Sequence, residues 1–274
     1  MIKDLVVNLS IAEGRDPAAE FALSVASAFE ADVLGLAFAY AYAPPLPDMN
    51  GFGLRDALGT IQEDSRRAAQ GAVDRFARSA PLARNVHTHI ANSTVIEAGR
   101  VFSSVARRFD LSVVLQPRAS SIHEDAILDG ALFETGRPTL VVPYIQKQTL
   151  TLNRVLICWD GSRTAARAIG DAMPCLVRAK DVSVLTVRNA MKTDDLPAAD
   201  IATHLARHKV RAEIESLVLS DIDVADAVLS HAVDVSADFI VMGAYGHTKV
   251  REFLLGGTTR KMLGEMTIPV LMSH

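Results

Sequence analysis

The chain has 274 residues, of which 49% are hydrophobic and 5% aromatic, and its formal net charge is -4. This length suits one large domain or two ordinary domains, and the aliphatic-rich, aromatic-poor composition suits an α/β core better than an all-β core. The negative net charge gives no electrostatic case for a nucleic-acid partner, which usually requires a basic face.

The composition also points to a compartment. Cys158 and Cys175 show neither a disulfide framework nor CxxC spacing, which is typical of reduced thiols in the cytoplasm. The N-terminus enters a strand pattern directly, without the apolar region of a signal peptide. The most apolar stretch, residues 21–43, is interrupted by Glu30 and Asp32 and therefore predicts helix, turn and strand rather than a membrane span. We expect a soluble cytoplasmic protein.

Short apolar runs alternate with amphipathic helical patterns along the first half. In the first of these helices Phe21, Val25 and Phe29 recur on one face. Residues 43–59 are rich in Pro, Gly, Asp and Asn, which predicts a long surface loop. The pattern predicts strands at 5–9, 33–38, 86–90, 111–115 and 138–142, and helices at 18–30, 61–79, 95–109 and 125–135.

The second half repeats this order. Residues 110–115 align with 238–242, and residues 136–143 align with 266–272. Such alternation predicts an α/β fold of two tandem open parallel-sheet domains, each Rossmann-like with five strands and helices on both faces. We place the domains at 1–146 and 152–274, with a linker around 144–151. Strands are predicted at 154–158, 182–187, 212–219, 239–242 and 269–273, and helices at 164–177, 195–208, 224–235 and 260–266.

A glycine-rich stretch follows the strand at 239–242. It contains Gly243, Gly246, Gly256 and Gly257 and leads into a helix. Open α/β sheets bind ligands beyond the carboxyl ends of their strands, and a helix N-terminus presents unpaired N–H groups to an anion. Thr258 and Thr259 add hydroxyl donors, and His247 could approach a phosphate. Alternatively, the glycines only turn the chain and cap the helix, and the pattern leaves both interpretations open.

Asp160 follows the first strand of the second half. Its carboxylate could accept hydrogen bonds from a ribose or an adenine amine, or it could form an N-cap or Asx turn before the next helix. In the first half Ser10 stands opposite Asp160, and the GxxG spacing is missing after Leu115. We therefore expect the first half to have at most a weak nucleotide site, or to serve packing, dimerisation or another ligand.

With these residues in place, the second half resembles the universal stress protein family. Its spacing Gly243-x2-Gly246-x9-Gly256 matches the glycine motif of the family's nucleotide-binding members. The resemblance covers both halves, as in a tandem member, although the first half matches only in element order and closing strand. It implies that the second half binds ATP or AMP, with or without Mg²⁺, and takes part in a stress response.

The resemblance also assigns site positions. It places Asp160 at the family's acidic position, Val187 beside the adenine, and Met242 before the first glycine. Gly257 departs from the pattern, because it occupies the place where Ser or Thr usually binds phosphate. Thr258 would then have to supply that hydroxyl.

Other features point away from an enzyme. The sequence contains no Walker A lysine motif and no GxSxG elbow, so slow ATP hydrolysis is the most activity we expect. His204 and His208 have metal-ligand spacing but lack the glutamate of a zinc protease motif, which favours a polar helix face. We identify no catalytic or metal-binding residue.

Three functions remain open at this stage. The first is a sensor or switch that binds an adenine nucleotide, and the second is a nucleotide-free module that binds a protein partner. The third is an ATP-using hydrolase or adenylyl-transferring enzyme, which would need a carboxylate such as Asp160 to position a metal near the phosphates. The family commonly pairs domains through the fifth strand. We favour pairing of residues 139–142 with residues 270–272 inside this chain, with a further homodimer as an option.

Overall fold

A computed structural model describes residues 1–41, 52–80, 85–118, 122–189, 198–219, 223–244 and 257–274. The chain divides into two compact units, residues 1–135 and 136–274. No helix within the described ranges is long and apolar enough to cross a membrane.

Unit 1 contains a parallel sheet in the order β3-β2-β1-β4. The chain steps outward from β1 to β3 and then returns to the other side of β1. Because crossovers between parallel strands are right-handed, this reversal places α1 and α2 on one face and the next two helices on the other. The elements are β1 (Asp4–Asn8), α1 (Pro17–Phe29), β2 (Asp32–Tyr40), α2 (Phe52–Ser79), β3 (Val86–Ser93), α3 (Ala98–Ala106), β4 (Leu111–Leu115) and α4 (Ile122–Glu134).

Unit 2 has the same pattern with an added pair of strands at one side, giving the order β5-β10-β9-β6-β7-β8. All of its strand pairs are parallel except β5 with β10. The elements are β5 (Thr139–Val142), β6 (Arg154–Cys158), α5 (Arg163–Leu176), β7 (Asp181–Asn189), α6 (Ala198–Arg207), β8 (Ala212–Leu219), α7 (Val224–Asp234), β9 (Phe239–Gly243), α8 (Gly257–Glu265) and β10 (Val270–Ser273).

The predicted pairing of the fifth and last strands occurs within this chain. Leu140 lies opposite Leu271 in the antiparallel ladder. Arg167 of α5 reinforces this side of the unit, because its Nη2 donates to the carbonyl of Gly136 at 2.9 Å. The strand β5 therefore belongs to the compact unit of the second half, whereas the predicted boundaries at 146 and 152 divide the chain by its sequence repeat.

The fold class predicted from the sequence is confirmed: α/β, with mostly parallel strands and helices on both faces. Most predicted elements agree with the structure to within about three residues.

The loop predicted at 43–59 is partly wrong, because α2 already begins at Phe52. Residues 42–51 lie outside the described ranges. Leu54, Ala57 and Leu58 are good helix formers, and the flanking glycines, Gly53 and Gly59, each cost only about 1 kcal/mol.

The helices α3 and α4 of unit 1 touch through a pair of glycines. A Cβ added to Gly130 would lie 2.3 Å from the carbonyl oxygen of Gly99, and a Cβ added to Gly99 would lie 2.1 Å from the carbonyl oxygen of Ala126. Both obstacles are backbone atoms, so no side-chain rotation can relieve the overlap. The two helices can approach this closely only because neither position carries a side chain.

We predict that Gly130→Ala lowers the stability of unit 1 by about 2 kcal/mol or more, because the added methyl group forces α3 and α4 apart. The matched control is Gly59→Ala in α2, where a Cβ meets no atom within 4 Å. It should raise stability by about 0.5–1 kcal/mol through helix propensity. Urea unfolding followed by circular dichroism measures both. Equal stability of the two variants would contradict the close helix contact.

Candidate functional site

The candidate site lies where the strand order of unit 2 reverses. The strand β6 has β9 on one side and β7 on the other, with Cys158 opposite Met242 and Leu185. The chain leaves β6 towards β7 and returns later to β9. Trp159 and Gly243 therefore lie at the carboxyl ends of adjacent strands, where open α/β sheets form ligand crevices.

Asp160 lies on the first of these loops and is exposed. Its Oδ1 accepts a hydrogen bond from the backbone N–H of Ser162 at 2.9 Å. This is the Asx turn considered as the alternative role for Asp160. Ser162 is the N-cap of α5, since its Oγ accepts from the N–H of Ala165 at 3.1 Å. Asp160 thus has a structural role at the start of α5, and its exposure leaves the carboxylate accessible to a ligand.

Gly243 is the last residue of β9, and its backbone lies against the first turn of α5. A Cβ at this position would lie 2.5 Å from the backbone nitrogen of Ala165 and 2.6 Å from Oγ1 of Thr164. Any side chain here would push β9 and α5 apart. The glycine is therefore explained by packing, and the contact holds the N-terminus of α5 next to the end of β9.

Met242 and Val187 take different positions on the sheet. Met242 is 7% exposed, so it contributes mainly to the core. Val187 is half-buried and lies two residues beyond Leu185, the β7 partner of Cys158. Because β7 extends past the end of β6, Val187 stands near the rim of the crevice.

The start of α8 contains the remaining predicted residues that the structure describes. Gly257 is exposed at the first helical position, and a Cβ there would meet no atom of the described residues within 4 Å. Thr258 is half-buried, whereas Thr259 is only 5% exposed. Thr258 is thus better placed than Thr259 to offer its hydroxyl to a ligand. Gly246, His247 and Gly256 lie outside the described residues.

Sequence reasoning missed Thr164. It is 1% exposed, and its Oγ1 lies 3.1 Å from the Oγ of Ser162 and against Gly243. The pattern Ser162-x-Thr164 at the start of a predicted helix was the available signal.

Lys261 of α8 forms an ion pair with Asp226, with 2.6 Å between Nζ and Oδ2. The positive charge of Lys261 is therefore already partly compensated.

His204 lies on α6 and His208 lies one residue beyond its end, and this pair gives no stronger prediction of a metal site. The ring centroids of His204 and His208 are 4.9 Å apart. Over the part of the chain that is described, no group of three or more His, Cys, Asp or Glu residues could hold a metal ion.

The thiol of Cys158 lies directly below the crevice. Burial, with a further contribution from the nearby carboxylate of Asp160, raises the pKa of Cys158 from its ordinary value of 9.0 to about 12. Since the thiolate is the reactive form, the thiol should be inert near neutral pH.

We predict that iodoacetamide modifies Cys158 at pH 8 at least about 100-fold more slowly in the native protein than in urea, since a pKa of about 12 leaves roughly 10⁻⁴ of the thiol ionised. The native rate should rise about tenfold per pH unit through pH 9 without a plateau, because the pKa lies well above that range. Mass spectrometry in a Cys175→Ala background isolates the site. Rapid native labelling with a plateau near pH 9 would contradict the raised pKa.

The second half of the chain is similar in sequence to known proteins. Residues 151–274 match the sequence model of the universal stress protein family. A universal stress protein of Synechocystis sp. is 28% identical over 153 residues, which cover 54% of this chain and 51% of that protein. The chain thus spans about half the length of this curated relative.

Solved structures share the fold over nearly the whole chain. The crystal structure of a universal stress protein from Archaeoglobus fulgidus DSM 4304 has a TM-score of 0.72 at 15% identity, covering 98% of this chain and 95% of that one. A protein of unknown function from Pseudomonas aeruginosa PAO1 has a TM-score of 0.61 at 14% identity, covering 99% and 92%. At such identities these structures show the fold alone. The sequence match identifies residues 151–274 as a universal stress protein domain.

Proposed function

We propose that unit 2 binds an adenine nucleotide, ATP or AMP, at the carboxyl ends of β6 and β9, and that this binding acts as a sensor or switch in a stress response. The observation that carries the proposal is that Gly243 lies against the N-terminus of α5 at the strand reversal, next to the loop that carries the exposed carboxylate of Asp160. The glycine spacing of the sequence between β9 and α8 supports the same site.

Each element suits one part of a nucleotide. A carboxylate can accept hydrogen bonds from ribose hydroxyls or an adenine amine. The half-buried Val187 offers an apolar contact for a base at the rim. The N–H groups at the start of α8, with the hydroxyl of Thr258, suit the phosphates. A Mg²⁺ ion bound with ATP would find its ligands among phosphate oxygens and water.

The proposal concerns binding rather than catalysis. Asp160 already anchors an Asx turn to Ser162, so it suits the nucleoside better than a metal at the phosphates. Slow ATP hydrolysis is the most activity that we propose. The two cysteines are free, which supports a reducing, cytoplasmic setting. A homodimer or a protein partner would transmit the bound state.

A second candidate function is a nucleotide-free interaction module. Two observations favour it: Gly257 supplies no hydroxyl at the start of α8, and the first half lacks the GxxG spacing after Leu115. In this case the glycine stretch would serve the fold, and the surface of the protein would bind a partner directly.

We predict that isothermal titration of the full chain with ATP, with and without Mg²⁺, gives about one site per chain, and that Gly246→Val abolishes binding because its side chain blocks backbone approach to phosphate. The control is Gly264→Val on α8, where a Cβ meets no atom within 4 Å. Absence of binding by the unaltered protein would reject the nucleotide proposal in favour of the interaction module.

In the same titration Asp160→Asn separates the structural role of Asp160 from its binding role. The Asn side-chain oxygen can still accept from the N–H of Ser162, but the negative charge is lost. We expect affinity to fall about tenfold, in line with the loss of a hydrogen bond to a charged group. The control is Asp223→Asn, because Asp223 caps α7 in the same manner by accepting from the N–H of Ala225 at 2.8 Å. Equal affinity of both variants would remove Asp160 from the site.

We also predict that Gly257→Ser increases ATP affinity by about three- to tenfold, since open space around this position admits a hydroxyl at the helix start and one further hydrogen bond is worth about 1 kcal/mol. AMP, which lacks the outer phosphates, should gain less. Competition titrations against a fluorescent ATP analogue measure both effects, with Gly264→Ser as the control. An unchanged affinity for ATP would show that position 257 does not face the phosphates.

A further inference from the structure

A cavity of about 220 Å³ lies in unit 1, between the loop after β1, the first turns of α1 and the last turns of α2. It is separate from the proposed nucleotide crevice, since all of its lining residues fall between Gly14 and Ser79. At about 30 Å³ per water molecule, the cavity has room for roughly seven waters or one small organic molecule.

The floor of this cavity is apolar. Ala19 and Leu23 of α1 face Ala72 and Phe76 of α2, and each of these four residues is at most 9% exposed. Contact with such a floor favours a ligand with an apolar body over an inorganic ion.

The acidic groups in the cavity wall already have hydrogen-bond donors. Asp16 caps α1, with Oδ1 accepting from the N–H of Ala19 at 3.0 Å and Oδ2 from the N–H of Ser10 at 2.7 Å. Both carboxylate oxygens of Glu20 accept from Nε of Arg15, at 3.0 and 2.8 Å. These two carboxylates are therefore satisfied within the protein.

Arg75 and Arg78 have N–H donors beyond those that form hydrogen bonds within the described residues. Arg75 donates from Nη2 to the carbonyls of Ser10 and Ala12, at 3.2 and 2.8 Å, which leaves its Nη1 and Nε groups for another acceptor. Arg78 is exposed, and among the described residues its guanidinium has no hydrogen-bond or ion-pair partner. Three arginines and two carboxylates line the cavity, so its formal charge is one positive unit.

We propose that this cavity binds a small organic carboxylate. The carboxylate group pairs with the guanidinium of Arg78 and the remaining N–H groups of Arg75, in the bidentate geometry that arginine offers to carboxylates. The apolar body lies on the floor between α1 and α2. The N-terminal half then has a ligand of its own, of a different chemical class from an adenine nucleotide.

The test is isothermal titration of the full chain with benzoate, compared with benzamide and inorganic phosphate. Benzamide keeps the ring but lacks the charge, and phosphate keeps a charge but lacks the apolar body. We expect about one benzoate per chain and at least roughly tenfold weaker binding of both comparison compounds. Equal binding of benzamide and benzoate, or no benzoate binding up to 10 mM (~2.7 kcal/mol at 1 M standard state), would overturn the proposal.

Arginine variants locate the site. We expect Arg78→Gln to weaken benzoate binding about tenfold, through loss of a charge-assisted hydrogen bond. The matched control is Arg66→Gln, since Arg66 is exposed on the same helix and does not line the cavity. Gly246→Val should leave benzoate binding unchanged, which separates this result from the nucleotide proposal. An unchanged affinity in Arg78→Gln, or an equal loss in Arg66→Gln, would contradict the assignment.

Discussion

The close approach of β9 to α5 is the constraint on which the candidate site depends. With no side chain at Gly243, the end of β9 rests against the backbone of Thr164 and Ala165. The same strand is paired with β6 and β10. The contact therefore fixes the N-terminus of a 14-residue helix beside the carboxyl ends of adjacent strands. The positions of the Asx turn at Asp160 and of the crevice follow from this packing.

Unit 1 has the same element order but lacks a glycine at the position that corresponds to Gly243. The register of β1 and β4 places the buried Leu115 where unit 2 has Gly243. The carboxyl ends of this sheet are filled by the chain's own side chains. The ring of Tyr40 lies 4.4 Å from the ring of His123, and Arg118 pairs with Glu124 at 2.6 Å.

The raised pKa of Tyr40 agrees with side chains filling the carboxyl end of the sheet in unit 1. Burial, with a further contribution from the charge of Glu124, raises the pKa of Tyr40 from its ordinary value of 10.0 to about 12. Aromatic and ion-paired groups occupy the end of this sheet, which supports placing the nucleotide proposal in unit 2 alone. The arginine-lined cavity of unit 1 lies instead between α1 and α2.

The fold followed from the sequence because its strands are short apolar runs and its helices show regular apolar faces. The start of α2 was missed for a physical reason: glycine and proline mark turns only on average, and here a helix beginning at Phe52 includes Gly53 and Gly59. The approach of Gly243 to Thr164 was equally invisible, because it joins residues 79 positions apart and only the register of β9 brings them together. Nor could local patterns reveal the cavity between α1 and α2, since it depends on how two helices cross.

The glycines of the motif therefore differ in how well they distinguish the two candidate functions. Gly243 would be required by packing whether or not a nucleotide binds, so its presence does not distinguish the two candidate functions. For Gly257, a Cβ would meet no atom of the described residues within 4 Å, so their packing does not require a glycine and leaves room for a hydroxyl. In the proposed nucleotide site, the absence of that hydroxyl would leave phosphate affinity to backbone N–H groups and Thr258, an arrangement that would favour a weakly held, exchangeable nucleotide over a permanently bound one.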